Sequence, residues 1–367
     1  MGESSSSPSQ VNSLFDRVHP LIVAEFDVEE SLMEYGTPTF YIRLRDDSKQ
    51  AFTRLVEKLA LVGATPALRE VGDRNVLKVM PKPETKPSRP IINVGLLIAT
   101  IITVFITGYI WSDQLLADAR SSSLDFGLNP WLGAASFTLA LLGILGVHEM
   151  AHKFAADHHK MEATMPYFIP APPFFGIGTF GAVIVQKETA PNKDALFDIG
   201  ASGPIAGFLV TVLVSAIGLA MSPVKASIAP LQNGGLPISP LFLLLMEAVV
   251  KVDPVPGMHY YILLHPVAWA GWIGVILTLL NLLPTGMLDG GHTLRSLVNK
   301  DFTRLVFTSV SILLLLIVGQ YLMLALVLFL SIYRHPGPLD DVSKLSVSRK
   351  LTAVLLLVIF ALCLFIF

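Results

Sequence analysis

WLGAASFTLALLGILGVHEMAH, residues 131–152 of a 367-residue chain, starts as an apolar helix and runs into two histidines and an acid. Trp131–Val147 carries no charged side chain and leads directly into His148-Glu149-Met150-Ala151-His152, an H-E-x-x-H pattern. Residues four apart share one face of a helix, so His148 and His152 can direct imidazole nitrogens at a single metal ion. Glu149 sits one step round, placed to take a proton from a water polarised by that ion. Nine histidines in the chain make a chance match rare, on the order of one per hundred such sequences. The plain alternative is a pair of histidines and an acid capping a helix end. Location weighs against it, because ionisable groups that extend an apolar helix are costly and mark functional sites by default. Zinc suits imidazole plus carboxylate at an open tetrahedral site, with iron and cobalt as alternatives.

The rest of the chain has the same apolar character. It is 53% hydrophobic and only 15% charged, with a mean hydropathy of +0.63, where soluble domains carry about 25% charge. The charge is concentrated at one end: residues 1–90 hold 25 of the 54 charged side chains. A net charge of −2 without a basic face argues against nucleic acid as a partner. The lone Cys363 excludes an internal disulfide framework and a CxxC metal site.

Further spans are indicated by apolar runs long enough for a hydrocarbon core of about 30 Å. Beside Trp131–Val147 these are Ile91–Ile110, Ile199–Met221, His265–Leu283, Phe302–Tyr333 (broken into two near Gly319-Gln320) and Leu351–Phe367. Leu241–Val250 is short, contains Glu247, and reads as re-entrant or interfacial. The alternation of basic loops fits about six transmembrane helices with a cytoplasmic N-terminus; Lys82, Lys86 and Arg89 precede the first span, and Asp113, Asp118 and Asp125 come after it. Before the spans, Thr39–Arg45, Ser48–Leu61, Ala67–Val71 and Asn75–Met80 suggest a β-α-β-β unit. The expected architecture is an all-α polytopic membrane protein with a small α+β N-terminal soluble domain. Its parts are a disordered tail over 1–15, the soluble domain over 16–80, a Pro-rich linker over 81–90 and a transmembrane domain over 91–367. The opening MGESSSSPSQ lacks the features of a secretory signal, and Glu3 counts against a transit peptide.

A catalytic zinc takes three protein ligands and keeps one position open. Asn281-Leu282-Leu283-Pro284-Thr285-Gly286-Met287-Leu288-Asp289-Gly290-Gly291-His292 supplies the best candidate, Asp289, because Pro284 and the glycines disturb any helix. Unwound backbone at membrane depth is tolerated where it lines protein or a water-filled cavity, and an acid there needs a partner. His292 is a weaker candidate for the same role. Asn281 could stabilise an oxyanion through its amide or make a helix–helix hydrogen bond. His158, His159 and Lys160 read as an interfacial cluster rather than a second metal site.

H-E-x-x-H in one hydrophobic helix and N-x-x-P…L-D-G in a later one resemble the site-2 protease family of intramembrane zinc metalloproteases. The similarity is to the branch of archaea, bacteria and plastids with a soluble N-terminal domain and no PDZ domain, and it extends from about Phe40 onward. Ser202-Gly203-Pro204-Ile205-Ala206-Gly207 is similar to a further motif of the family. The resemblance implies His148, His152 and Asp289 as ligands to one Zn2+ per chain, Glu149 as catalytic base and Asn281 as a catalytic asparagine. It implies hydrolysis of peptide bonds in or near transmembrane segments of other membrane proteins, with the lipid bilayer as surroundings. It also implies that Phe174–Gln186 (FFGIGTFGAVIVQ) dips into the membrane as a β-hairpin, where Gly176, Gly178, Phe180 and Gly181 would bind an unwound substrate by strand addition. A prokaryotic plasma membrane is the expected location. Rival readings are a transporter or metal-ion permease, and a proteolytically inactive scaffold of the same family. Oligomeric state is left open.

Overall fold

A computed structural model describes residues 8–83, 87, 89–121, 128–227, 236–252, 255–286, 288–318, 321, 324–325, 327–328 and 337–365. The chain opens with α1 (Pro8–Val23), β1 (Asp27–Glu34), β2 (Thr37–Arg43), α2 (Ser48–Leu61), β3 (Ala64–Val71) and β4 (Arg74–Pro81). The strands form one antiparallel sheet in the order β1-β2-β4-β3. Helices α1 and α2 cover one face, burying Val18, Ile22, Phe52, Leu55 and Leu59 against Phe40, Ile42, Leu68, Leu77 and Val79. This α+β unit is larger than the expected β-α-β-β. The stretch expected as a disordered tail to residue 15 is helical from Pro8, and residues 1–7 lie outside the described ones. Strand β1 escapes sequence reading because Asp27, Glu29, Glu30 and Glu34 break its alternation. It is a mostly uncovered edge with a register shift between Val28 and Glu30, where charge serves to block further pairing.

From Pro90 the chain is mostly helical. Helices α3 (Pro90–Ser121), α4 (Pro130–His158) and α5 (Lys193–Ala220) come next, with a hairpin of β5 (Tyr167–Pro170) and β6 (Thr179–Val183) between α4 and α5. After them come β7 (Val224–Ser227), α6 (Pro240–Val249), β8 (His259–Ile262), α7 (Pro266–Asn281), α8 (Asp289–Leu297), α9 (Asp301–Val318) and α10 (Val347–Cys363). Among the described residues three helices are long and apolar enough to cross a membrane: Pro90–Arg120, Pro130–His158 and Lys193–Ala220. The apolar helices Pro240–Val249, Pro266–Asn281 and Phe302–Ile317 are shorter. The break expected at Gly319-Gln320 lies outside the described residues. Asp113 and Asp118, expected in a loop, continue α3 instead.

Close packing of α4, α5 and α7 sets the frame of the site. Gly218 and Gly271 bring α5 and α7 so near that an added Cβ would lie 2.1 Å from the Ala268 nitrogen or 2.3 Å from the Ser215 hydroxyl. Small residues at helix contacts are how apolar helices approach closely when no hydrophobic effect drives them together.

Candidate metal centre

Helix α4 carries His148 and His152 on one face, with their Nε2 atoms 3.0 Å apart. Asp289, the first residue of α8, brings Oδ2 to 3.1 Å from His148 Nε2 and 3.2 Å from His152 Nε2. The three atoms form a nearly equilateral triangle. Bonds of 2.0–2.1 Å in a tetrahedral zinc site give ligand–ligand edges of about 3.3 Å, so the donor set fits zinc in spacing as well as chemistry. Two imidazoles and one carboxylate leave a fourth position for the reacting groups. Among the described residues this is the cluster suited to a metal, and His292 is not part of it.

Glycine explains how Asp289 arrives there. Helix α7 ends at Asn281, and the chain turns over 282–286 before α8 begins at Asp289. An added Cβ would fall 2.3 Å from the Leu282 carbonyl oxygen at Gly290, and 2.3 Å from that of Gly286 at Gly291. Only glycine lets the first turn of α8 fold back under the end of α7. Gly200 of α5 permits a similar approach, its added Cβ lying 2.9 Å from the Asp289 carbonyl oxygen.

The histidines are oriented from α5. His152 donates from Nδ1 to the Ile199 carbonyl at 2.6 Å, which leaves Nε2 with its lone pair facing His148 Nε2 and Asp289 Oδ2. A Cβ at Gly203 would lie 2.1 Å from His152 Nε2, and one at Gly207 would lie 2.9 Å from His148 Nδ1. The glycine pair repeats the four-residue spacing of the histidine pair on the facing helix. Sequence reasoning misses this role, although the motif is visible and the matched spacing is its available signal. Both histidines and Glu149 are buried. Glu149 Oε1 lies 4.0 Å from His148 Nε2. Asn281 Nδ2 lies 3.4 Å from the same histidine nitrogen.

The hairpin expected over Phe174–Gln186 is present but shifted toward the N-terminus. Tyr167–Pro170, within the Pro-rich stretch, is its first strand, paired antiparallel with Thr179–Val183. Gly176 and Gly181 have φ of +89° and +102°, and an added Cβ at either meets no neighbour within 4 Å. Gly178 does not face open space: its close approach is to α3, where Thr103 Oγ1 donates to its carbonyl at 2.6 Å. Phe180 is half-exposed and packs edge-on against Phe175. His159 and Lys160 pair with Asp198 and Glu57, as an interfacial cluster would. Glu247 lies exposed on α6.

The family described as Peptidase family M50 matches residues 136–326. "Probable zinc metalloprotease EGY1, chloroplastic" of Oryza sativa subsp. japonica is 34% identical over 163 residues, 43% of this chain and 28% of that protein. The Arabidopsis thaliana protein of the same name is 32% identical over 181 residues, 47% of this chain and 32% of its own length. "Probable zinc metalloprotease EGY2, chloroplastic" of Oryza sativa subsp. indica is 27% identical over 228 residues, covering 60% and 39%. The matched region thus spans about a third of each of these relatives. No solved structure gives a significant match. These relatives overturn the expected prokaryotic plasma membrane, since all are chloroplastic plant proteins and point to a chloroplast membrane. Loop charges rank one side of a bilayer against the other but carry no information about which membrane it is.

Proposed function

The chain belongs to peptidase family M50, the site-2 protease family, and from that premise we propose that it is a zinc metalloprotease acting on transmembrane segments of other membrane proteins. The observation that carries this reading is the triangle of His148 Nε2, His152 Nε2 and Asp289 Oδ2, with edges of 3.0–3.2 Å, beside a buried glutamate. One Zn2+ per chain, held by those three residues, would polarise the scissile carbonyl and acidify the attacking water. Glu149 takes that water's proton and delivers it to the leaving amine. Asn281 turns its amide toward the oxygen on which negative charge develops, a donor worth about 3–4 kcal/mol where such groups have been removed.

A helical substrate hides its amides in its own hydrogen bonds and must be extended before cleavage. The β5–β6 hairpin supports strand addition for this purpose, with Gly176, Phe180 and Gly181 along the exposed part and Gly178 anchoring it to α3. The arrangement of domains belongs to the same proposal: a soluble α+β unit up to residue 80, a linker over 81–90 and about six membrane-crossing segments from 91 onward, the shorter helices included.

The test uses purified protein, a transmembrane model substrate and Glu149→Gln. About one zinc per chain in both proteins, with cleavage abolished by the substitution, is the expected result. Metal uptake into vesicles that survives Glu149→Gln would replace the protease by a transporter. Zinc-loaded wild-type protein that cleaves no transmembrane substrate would leave an inactive scaffold.

A further inference from the structure

Helix α8 begins with the metal ligand Asp289 and ends in an ion pair that catalysis does not use. Arg295 is buried, and its guanidinium meets Asp341 in a two-pronged contact, Nη1 to Oδ1 at 3.0 Å and Nη2 to Oδ2. Lys193, at the first turn of α5, is also buried, with Nζ 3.9 Å from Asp341 Oδ1. Gly337 lies against the same guanidinium, where a Cβ would come 2.5 Å from Nη2.

Asp341 is itself fixed by backbone. Residues 339–341 form a short rung between β3 of the N-terminal sheet and the loop that caps α5. On one side the Leu68 N–H donates to the Leu339 carbonyl at 2.9 Å, and the Asp341 N–H donates to the Leu68 carbonyl at 3.2 Å. On the other, the Leu339 and Asp340 N–H groups donate to the carbonyls of Ala190 and Pro191 at 2.8 and 3.0 Å. Arg69 adds a bond to the Leu339 carbonyl at 2.7 Å, and the Leu339 side chain completes the N-terminal core. One rung therefore touches the N-terminal sheet, the start of α5 and, through Arg295, the far end of α8.

We propose that Asp341 is a positioning residue for Asp289: its pair with Arg295 holds α8 to the rung, so the docked N-terminal domain and the metal centre move as one body. Gly200 and Gly290 set how closely the first turn of α8 packs, and the Asp341 contact sets the direction of its axis. A nine-residue helix is about 14 Å long, short enough for a tilt at one end to displace a carboxylate at the other. Metal–ligand distances fall within about 0.2 Å of their standard values, so the position of a ligand matters on that scale. The inference rests on reading His148, His152 and Asp289 as the metal site.

The experiment uses the full chain in detergent, with zinc affinity measured by chelator competition and amide exchange followed in the metal-free protein. Asp341→Asn and Arg295→Lys are each expected to weaken zinc about tenfold, the scale on which groups behind metal ligands act. Exchange should rise over 289–297 while β2 and β4 keep their protection. Lys49→Ala cuts a different link to the N-terminal domain, the 2.6 Å pair with Asp194, and is expected to leave zinc affinity unchanged. Wild-type affinity in Asp341→Asn, an equal loss in Lys49→Ala, or joint loss of protection in α8 and the sheet would each overturn the proposal. His148→Ala separates the two levels of reading. If zinc binding survives it, the metal site itself is wrong; if zinc is lost there but retained in Asp341→Asn, only the positioning role falls.

Discussion

Replacing Gly203 by alanine adds one methyl group and should cost the protein its metal. The new Cβ would sit 2.1 Å from His152 Nε2, 2.5 Å from Cε1 and 2.6 Å from Cδ2, so the whole outer edge of the ring is in the way. Ordinary carbon–nitrogen contact needs about 3.4 Å or more, which requires a relative displacement of about 1.3 Å. The ring cannot swing away freely, because Nδ1 is tied to the Ile199 carbonyl on the same helix as the methyl group. A shift of that size is several times the range of about 0.2 Å within which metal–ligand distances fall. The expected outcome is a loss in zinc affinity on the order of hundredfold or more, beyond that of removing a group behind a ligand. Gly207→Ala is the graded comparison: its Cβ meets His148 Nδ1 at 2.9 Å, so a smaller loss is expected. Gly143→Ala, on the same helix as the histidines with nothing within 4 Å, is the control and should bind zinc normally. Chelator competition on purified protein reads all three. Wild-type affinity in Gly203→Ala would refute the idea that α5 holds the histidine rings by close contact.

Two further predictions concern the hairpin and the N-terminal domain. Gly178→Ala would place a Cβ 2.7 Å from the Thr103 carbonyl oxygen with φ at +79°; the left-handed backbone alone costs about 1–2 kcal/mol. It should lower cleavage of a transmembrane substrate several-fold with zinc content unchanged, and loss of zinc instead would contradict the anchoring role. Glu25 is buried, which pulls its pKa up, but hydrogen bonds from Lys58 and Arg54 outweigh this and hold it below the usual carboxylate value. Its contribution is therefore complete above the unfolded pKa of about 4.3 and is lost as pH falls through the lower folded value. Glu25→Gln should destabilise the sheet by about 1 kcal/mol at neutral pH and flatten its acid response, read from exchange protection in β2 and β4.

Legibility in the sequence depends on whether a residue's role is local. His148 and His152 stand out because helical spacing alone puts them on one face, with Glu149 one step round. Asp289 is legible by a different route, as an acid on glycine-broken backbone within apolar sequence, although the turn that delivers it depends on contacts with Leu282, Leu283 and Gly286. Gly203 and Gly207 are visible as letters, but what they do depends on which helix lies opposite. Strand β1 is hidden because an edge strand is selected for charge and not for alternation. Asp341 is harder still, since an acid in a polar stretch reads as solvated until Arg295 and Leu68 are seen beside it. The cellular compartment is misread for a related reason: charge asymmetry reports sidedness and no more.

The rung at 339–341 also bears on the order in which the protein is made. Leu68 waits for Leu339, a partner about 270 residues downstream. At roughly 5–20 residues per second, ribosomes need about 14–54 s to cover that distance. The N-terminal sheet can form early, but its β3 edge stays unpaired and its core lacks Leu339 until most of the membrane helices have been synthesised. His148, Glu149 and His152 are therefore synthesised well before the contact proposed to align α8 exists. The three residues that join the N-terminal sheet to the start of α5 thus close that contact only after α3 to α8 have been made, so the docking of the first domain reports on chain synthesised long after it.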